Sequence, residues 1–263
     1  MTTTLAPALF GTPIAPLTMS QVLDRVAEAI QRRRPLLIGV VNAAKVVNMQ
    51  RDEALRQSVL EADLVLADGM SVVWASRALG TPLPERVAGI DLMMEMLRRG
   101  SEMGWAVYFL GATQDVLDGT TARIAADFPG VRIAGSHHGY FSTDDEPAIA
   151  QAIRASAADI LLVAMTSPRK EQFLARWNET LSVPVCHGVG GSFDVVAGKV
   201  QRAPASWRRL GLEWLYRVKQ EPRRLWRRYL VTNSLFCALV LRELMQGRSR
   251  EQPHERLRRG PGA

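Results

Sequence analysis

The sequence predicts an α/β fold: a mainly parallel sheet with helices on both faces, followed by a helical C-terminal appendage. Three observations carry this. Short apolar runs recur up to about residue 200, separated by stretches of helical length. Each run is apolar throughout rather than alternating, the pattern of strands buried on both faces. After Pro204 the strand pattern stops, and arginine and tryptophan crowd a segment with helical spacing.

The elements follow in order. Thr18 and Gln21 stand at capping-box spacing ahead of an amphipathic run to Ile30, so a helix starts there and ends in the Arg32 to Arg34 cluster. Pro35 opens the apolar run LLIGVV, the first strand of the sheet. Further strands are expected at Leu64 to Ala67, Val107 to Leu110, Val131 to Ala134, Ile160 to Met165 and Val183 to Val189. Beyond Pro204 the chain reads SWRRLGLEWLYRVKQ and then, past Glu221-Pro222, RRLWRRYLVTNSLFCALVLRELM. Proline lacks an N–H and clashes with the turn before it, so Pro222 breaks or restarts the helix. The expected organisation is an α/β domain over 1–200, a basic helical appendage over 201–246, and a disordered tail over 247–263.

At 263 residues with 47% hydrophobic content, the chain can bury a sizeable core, which excludes a disordered protein. Cys186 and Cys237 have no disulfide or metal-ligand spacing and lie in apolar surroundings, which favours a reducing, cytosolic compartment. No Lys or Arg precedes the weak apolar stretch at the N-terminus, so the charged start of a secretory signal is missing. The net charge of +7 is unevenly placed: residues 199–228 hold ten Lys or Arg against Glu213 and Glu221. A local field of this kind points to an anionic partner, whether phosphate, nucleic acid or an acidic membrane face. The thirteen uncharged residues from Tyr229 to Leu241 are too few to cross a bilayer, which takes about 20. With arginines before them and Trp207, Trp214 and Trp226 nearby, they fit an interfacial helix lying on anionic lipid. A helix packed on the domain's own core is the alternative.

Open parallel sheets bind ligands at the carboxyl ends of their strands, here the loops beginning near Asn42, Asp68, Gly111, Met165 and Gly188. Asp68 ends the strand LVLAD, where it can act as a general base or simply cap the next helix. Gly111 can let backbone amides meet a phosphate at a helix N-terminus. The glycines of GVGG, 188 to 191, let the chain turn tightly against a ligand. The sheet pattern is Rossmann-like, yet neither GxGxxG nor a P-loop occurs, so no dinucleotide or other cofactor is expected. His137 and His138 are adjacent and point apart, and no metal site is expected. Arg217, Arg224 and Arg227 fall at i, i+7 and i+10, near one face of a helix not badly bent at Pro222. Three guanidinium groups there can neutralise a diphosphate without a divalent ion. A solvated or lipid-facing stripe is the other reading.

Taken together, VNAAKVV, ADLVLADGMSVVWASRALG with ERVAGIDL, YFLGA, SPRKEQF, GVGGSFDVVAGKVQRAP and LGLEWLYRVKQEPRRLWRRYL resemble the WecG/TagA/CpsF glycosyltransferase family, from about Val40 to Tyr229. The resemblance implies transfer of a sugar from a nucleotide diphosphate to a polyprenyl-diphosphate-linked sugar at the cytosolic membrane face, inverting the anomeric centre without a metal. It places Asp68 on the family's proposed base, Asn42 and Arg86 in the pocket, and Arg217, Arg224 and Arg227 on arginines proposed to reach the diphosphate. Gly111, Lys170, Gly190 and Asp194 lie in its motifs and complete the expected substrate-binding set. Val40 stands where many members have Thr, and Lys170 where many have Gln. The lysine resembles the exopolysaccharide branch, such as the xanthan-pathway β-1,4-glucosyltransferase, so glucose is the expected hexose.

The alternative within the family is a donor of N-acetylmannosamine or its uronic acid. From other classes, the Arg and Trp stripe admits a single-stranded nucleic-acid-binding protein or a non-catalytic membrane scaffold. The expected partners are a UDP-sugar, a lipid-linked sugar acceptor and the cytoplasmic membrane surface, bound peripherally, and not nucleic acid.

Overall fold

The computed structural model describes residues 8–255, the side chains of Arg224 and of residues 247–255 excepted. A two-stranded antiparallel hairpin, β1 (Ala8–Leu9) and β2 (Thr12–Pro13), comes first, turning on Phe10 and Gly11, both at positive φ. Helix α1 (Met19–Arg32) starts at the Thr18 capping box and ends on Arg33 in the left-handed region. Then come β3 (Leu36–Val41), α2 (Ala43–Met49), α3 (Glu53–Leu60), β4 (Leu64–Ala67), α4 (Met70–Ala78) and α5 (Gly89–Met103). The second half of the domain holds β5 (Ala106–Gly111), α6 (Gln114–Asp127), β6 (Arg132–His137), α7 (Glu146–Ala155), β7 (Ile160–Ala164), α8 (Arg169–Leu181), β8 (Val185–Gly188) and α9 (Ser192–Val196). The chain ends in α10 (Ala205–Arg209), α11 (Glu213–Gln220) and α12 (Pro222–Glu255).

Strands β3 to β8 form one wholly parallel sheet in the order β4-β3-β8-β7-β5-β6. Its central strands are buried along their length, as continuous apolar runs require; β6, at the edge, exposes Arg132 and Ile133 and carries the most polar sequence. One face is covered by α1, α5, α6 and α9 around Val107, Phe109, Leu162 and Phe193. The other is covered by α2, α3 and α4 near β4, and by α7 and α8 nearer the centre.

This layering positions the site. Strands β3 and β8 are neighbours, yet the helix after β3 lies on one face and the helix after β8 on the other. Their loops part, leaving a crevice at the carboxyl ends, where open α/β sheets take ligands. Asn42 stands on one lip and Gly188 to Gly191 on the other.

Three features of the C-terminal helices bear on the sequence reading. First, Pro222 restarts the helix as expected, as the first residue of α12, so Arg217 on α11 and Arg224 and Arg227 on α12 do not share one continuous helix. Second, α12 continues to Glu255, past the expected start of a tail at Gly247, while residues 256–263 lie outside the described residues. A lone glycine costs a helix about 1 kcal/mol and does not stop one already nucleated. Third, α12 has two apolar faces. Phe236 is buried with its ring 5.4 Å from that of Phe10, and Leu235, Leu239 and Val240 pack against the same cluster as α2 and α4. Leu230, Val231, Leu241 and Met245 are exposed. Packing on the domain's own core and display of an apolar surface are therefore both true of this helix.

The two faces are separable by stability. Phe236→Ala should lower unfolding stability by about 3 kcal/mol through the cavity it leaves. Leu241→Ala, on the exposed face, should change it by less than about 0.5 kcal/mol. Denaturant unfolding of both variants checks this.

Candidate active site

Asp68 follows β4 directly, and its N–H donates to Val41 O at 2.9 Å, so the ends of β3 and β4 are level. It does not cap the helix after it: α4 begins at Met70 with Gly69 at its N-cap and no side-chain cap. Its carboxylate instead reaches α5: Oδ1 accepts the Gly89 N–H at 2.9 Å, and Oδ2 accepts Asn42 Nδ2 at the longer distance of 3.4 Å. Asn42 Oδ1 in turn accepts the Lys45 N–H at 3.1 Å, capping α2. Asp68 is thus an oriented, half-buried carboxylate. Two donors leave lone pairs on it for a substrate hydroxyl.

Behind Asn42, Lys45 is buried on α2 and its ammonium donates to Glu171 Oε1 at 2.8 Å. Lys170 Nζ lies 3.3 Å from the same oxygen. The other oxygen, Glu171 Oε2, is buried with no hydrogen-bond partner among the described residues. Burial, and next the charge of Lys170, lower the pKa of Lys45. For Glu171, burial acts upward and is the largest single influence, but the two lysines together outweigh it and its pKa is lowered. The stem of Lys170 lies on Gly188, where a Cβ would stand 3.0 Å from Cε, and one at Gly190 (φ +56°) would stand 4.0 Å from Nζ. The glycines of the β8 turn therefore make room for a lysine beside the crevice.

A second cationic cluster lies where the C-terminal helices meet the domain. Arg86 donates from Nη1 to Glu213 Oε2 at 3.0 Å and from Nη2 to Asp91 Oδ2 at 3.2 Å. Arg202 Nη2 donates to Asp91 Oδ1 at 2.5 Å, and Arg208 Nη1 lies 3.6 Å from that oxygen. The turn at Gly211 packs on Met70 and Trp74 of α4. The appendage is thereby seated over the helices that begin beside Asp68.

The remaining expected residues are placed as follows. Asp194 stands in the first turn of α9, its carboxylate near Gly191. Gly111 (φ +128°) is buried where a Cβ would collide with the Ala164 backbone, and the Gly139 N–H bonds to the adjacent Ala112 O. Gly111 is thereby required for backbone packing, and among the described residues it forms no hydrogen bond to the Asp68 group. Arg217 and Arg227 are exposed, and among the described residues they form no ion pair. Lys45, Glu171, Asp91, Glu213, Arg202 and Arg208 escaped the sequence reading as site residues. The closest partners of Lys45, Arg202 and Glu213 lie 111 to 127 positions away, and the nearer pairs, such as Arg86 with Asp91, carry no pattern that marks a site.

An open parallel sheet with one oriented carboxylate and two groups of cations at its carboxyl edge suits a transferase acting on phosphorylated sugars. The chain belongs to the Glycosyl transferase WecG/TagA/CpsF family, which matches residues 7–250. It is 38% identical over 193 residues to an N-acetylglucosaminyldiphosphoundecaprenol N-acetyl-beta-D-mannosaminyltransferase of Bacillus spizizenii, covering 73% of this chain and 72% of that protein.

His187 underpins this geometry from inside the sheet. It is fully buried in β8, one ring nitrogen 3.2 Å from Gly89 O and the other 3.3 Å from Ile38 O. It thus props the same residue whose N–H holds Asp68. Burial lowers its pKa below the ordinary 6.5. An unfolded chain then takes up this proton first, so the contribution is intact above pH 6.5 and is lost as pH falls below it. The thermal midpoint should drop on acidification from pH 7 to about 5.5, and His187→Gln should flatten that slope. Melting curves across this range check the sign.

Proposed function

We propose that the protein transfers a hexosyl residue, glucose in the first reading, from a UDP-sugar to a polyprenyl-diphosphate-linked sugar in bacterial exopolysaccharide or cell-surface polysaccharide synthesis. The reaction inverts the anomeric centre and uses no metal ion. The observation that carries this is the Asp68 carboxylate held at the sheet rim by Gly89 and Asn42, under a seated arginine-rich appendage. Asp68 takes the proton of an acceptor hydroxyl, and that oxygen forms a bond to the donor's anomeric carbon from the face opposite UDP. The bond from that carbon to the diphosphate breaks, its electron pair leaving with UDP. Negative charge grows on the diphosphate as the bond breaks, so guanidinium groups held ready for it stabilise the transition state more than the ground state. Asn42 orients the base, Lys170 stands by the GVGG turn where the donor enters, and Gly190 and Asp194 shape that turn. Arg217, Arg224 and Arg227 meet a substrate diphosphate or the lipid surface.

A second reading of the donor rests on the Bacillus spizizenii relative, whose name specifies N-acetylmannosamine and a diphosphoundecaprenol-linked N-acetylglucosamine. A panel of UDP-sugars incubated with a short-chain polyprenyl-diphosphate sugar, read by product mass, separates the two.

Asp68→Asn keeps an oxygen for the Gly89 N–H but removes the base. It should cut kcat by at least about 100-fold with UDP affinity nearly unchanged. Turnover near that of the wild type would dismiss the assignment.

The membrane reading rests on α12. Leu230, Val231, Leu241 and Met245 form an exposed apolar face beside Arg227, Arg228 and Arg242, while no helix among the described residues is long and apolar enough to cross a bilayer. Such a surface binds the interface of anionic lipid at the cytoplasmic face. Replacing Leu230, Leu241 and Met245 by serine should abolish co-sedimentation with phosphatidylglycerol vesicles and leave the melting temperature within a few degrees.

A further inference from the structure

The arginine cluster at the head of α5 is charged in a way its own partners do not balance. Among the described residues, Arg86, Arg202 and Arg208 face only Asp91 and Glu213, three guanidinium groups against two carboxylates. The side chains are 14 to 30% exposed, so solvent compensates the excess only in part. Arg202 Nε and Arg208 Nε are buried and have no hydrogen-bond partner among the described residues. Buried donors without acceptors are costly, and a network built only as a latch has no use for them. The positive end of the α5 dipole adds to the same imbalance. Asp91 sits two residues after Gly89, whose N–H holds Asp68. The excess charge is therefore tied to the turn that orients the carboxylate.

We propose that Arg202 and Arg208, with Arg86, form the seat for a substrate diphosphate, and that Asp91 and Glu213 hold the three guanidinium groups in place until it arrives. The proposal deepens the glycosyltransferase reading and rests on it. Guanidinium forks match phosphate oxygens in pairs, and a diphosphate carries enough oxygens to take the orphaned donors as well. Arg86 exchanges Glu213 for phosphate, loosening the tie between appendage and domain. Asp91 acts as a positioning residue, because its two oxygens reach all three arginines. The ligand chemistry is an organic diphosphate, which either the nucleotide donor or the lipid acceptor can supply.

Calorimetric titration of the full chain with inorganic pyrophosphate, UDP and farnesyl diphosphate tests it. Arg202→Gln and Arg208→Gln should each weaken pyrophosphate binding at least tenfold, and Arg208→Lys, which keeps the charge but not the fork, should recover only part. Loss confined to UDP assigns the seat to the donor, loss confined to farnesyl diphosphate assigns it to the acceptor, and loss of both marks a shared seat. Asp91→Asn should raise KM more than it lowers kcat and weaken pyrophosphate binding. A wild type that binds none of the probes overturns the proposal. So do glutamine variants that bind all three within twofold of wild type, even if proteolysis between α10 and α11 speeds up, because that outcome describes a latch only. Should Arg202→Gln fail to fold, the two Arg208 variants carry the test. Weakened binding in a protein that transfers no sugar would sink the glycosyltransferase reading and leave the seat standing; transfer with unchanged binding would do the reverse.

Discussion

The first turn of α5 is the constraint from which the site is built. A helix start leaves backbone N–H groups without partners and a partial positive charge, and it favours carboxylates nearby. Here two carboxylates answer. Asp68 comes from the end of β4 and takes the Gly89 N–H, while Asp91 belongs to the helix and turns outward to the arginines. One short stretch thereby fixes the orientation of the Asp68 carboxylate and the place where the appendage docks. His187, beneath it, holds the Gly89 carbonyl from within the sheet. Moving this turn would displace Asp68, the arginines and the appendage together.

The two cationic groups differ in kind. Lys45 and Lys170 are point charges around one buried carboxylate oxygen, set by α2 and α8 and roofed by the glycines of the β8 turn. Their positions are rigid and their charge is compensated from within the domain. The arginines bring together a loop before α5, a segment after α9 and the short helix α10, so their geometry depends on how the appendage sits. The lysine pair lies beside the crevice, and the fork-shaped arginine trio lies at the seam between domain and appendage.

The sheet was legible because burial on both faces leaves a signature that needs no partner to be read: a run of apolar residues ended by glycine, asparagine or aspartate. Strands β3, β4, β5 and β8 carry it, and β7 shares the apolar run but is followed by Met165 and Thr166. The β1–β2 hairpin does not, because two-residue strands have no period to detect. Asp68 was legible by position, since a strand end is where such sheets bind ligands. What it bonds to was not. The helix next in sequence looked like its partner, whereas the real one, Gly89, lies 21 residues on. The same limit hid Glu171, Asp91 and Glu213, ordinary surface carboxylates in sequence whose closest cations, Lys45, Arg202 and Arg86, lie more than 100 positions away. The arginine spacing misled for a local reason: i, i+7 and i+10 define a face only within one helix, and Pro222 begins a new one.

The double face of α12 joins the membrane reading to the chemistry. A detachable amphipathic helix would leave the catalytic domain free to tumble beneath the bilayer. This helix is anchored instead, Phe236 against Phe10 and its neighbours against the α2 and α4 cluster, with the opposite side exposing leucine, valine and methionine between arginines. Its apolar anchor and its apolar display lie back to back on one rigid element. Any surface that binds the display therefore fixes the orientation of the whole sheet, and Asp68 with it. A lipid-linked acceptor has its reactive sugar at a set height above the bilayer. Under the proposed membrane reading, the helix that meets the lipid is also part of the core, so that height is set by the packing of α12 on the domain.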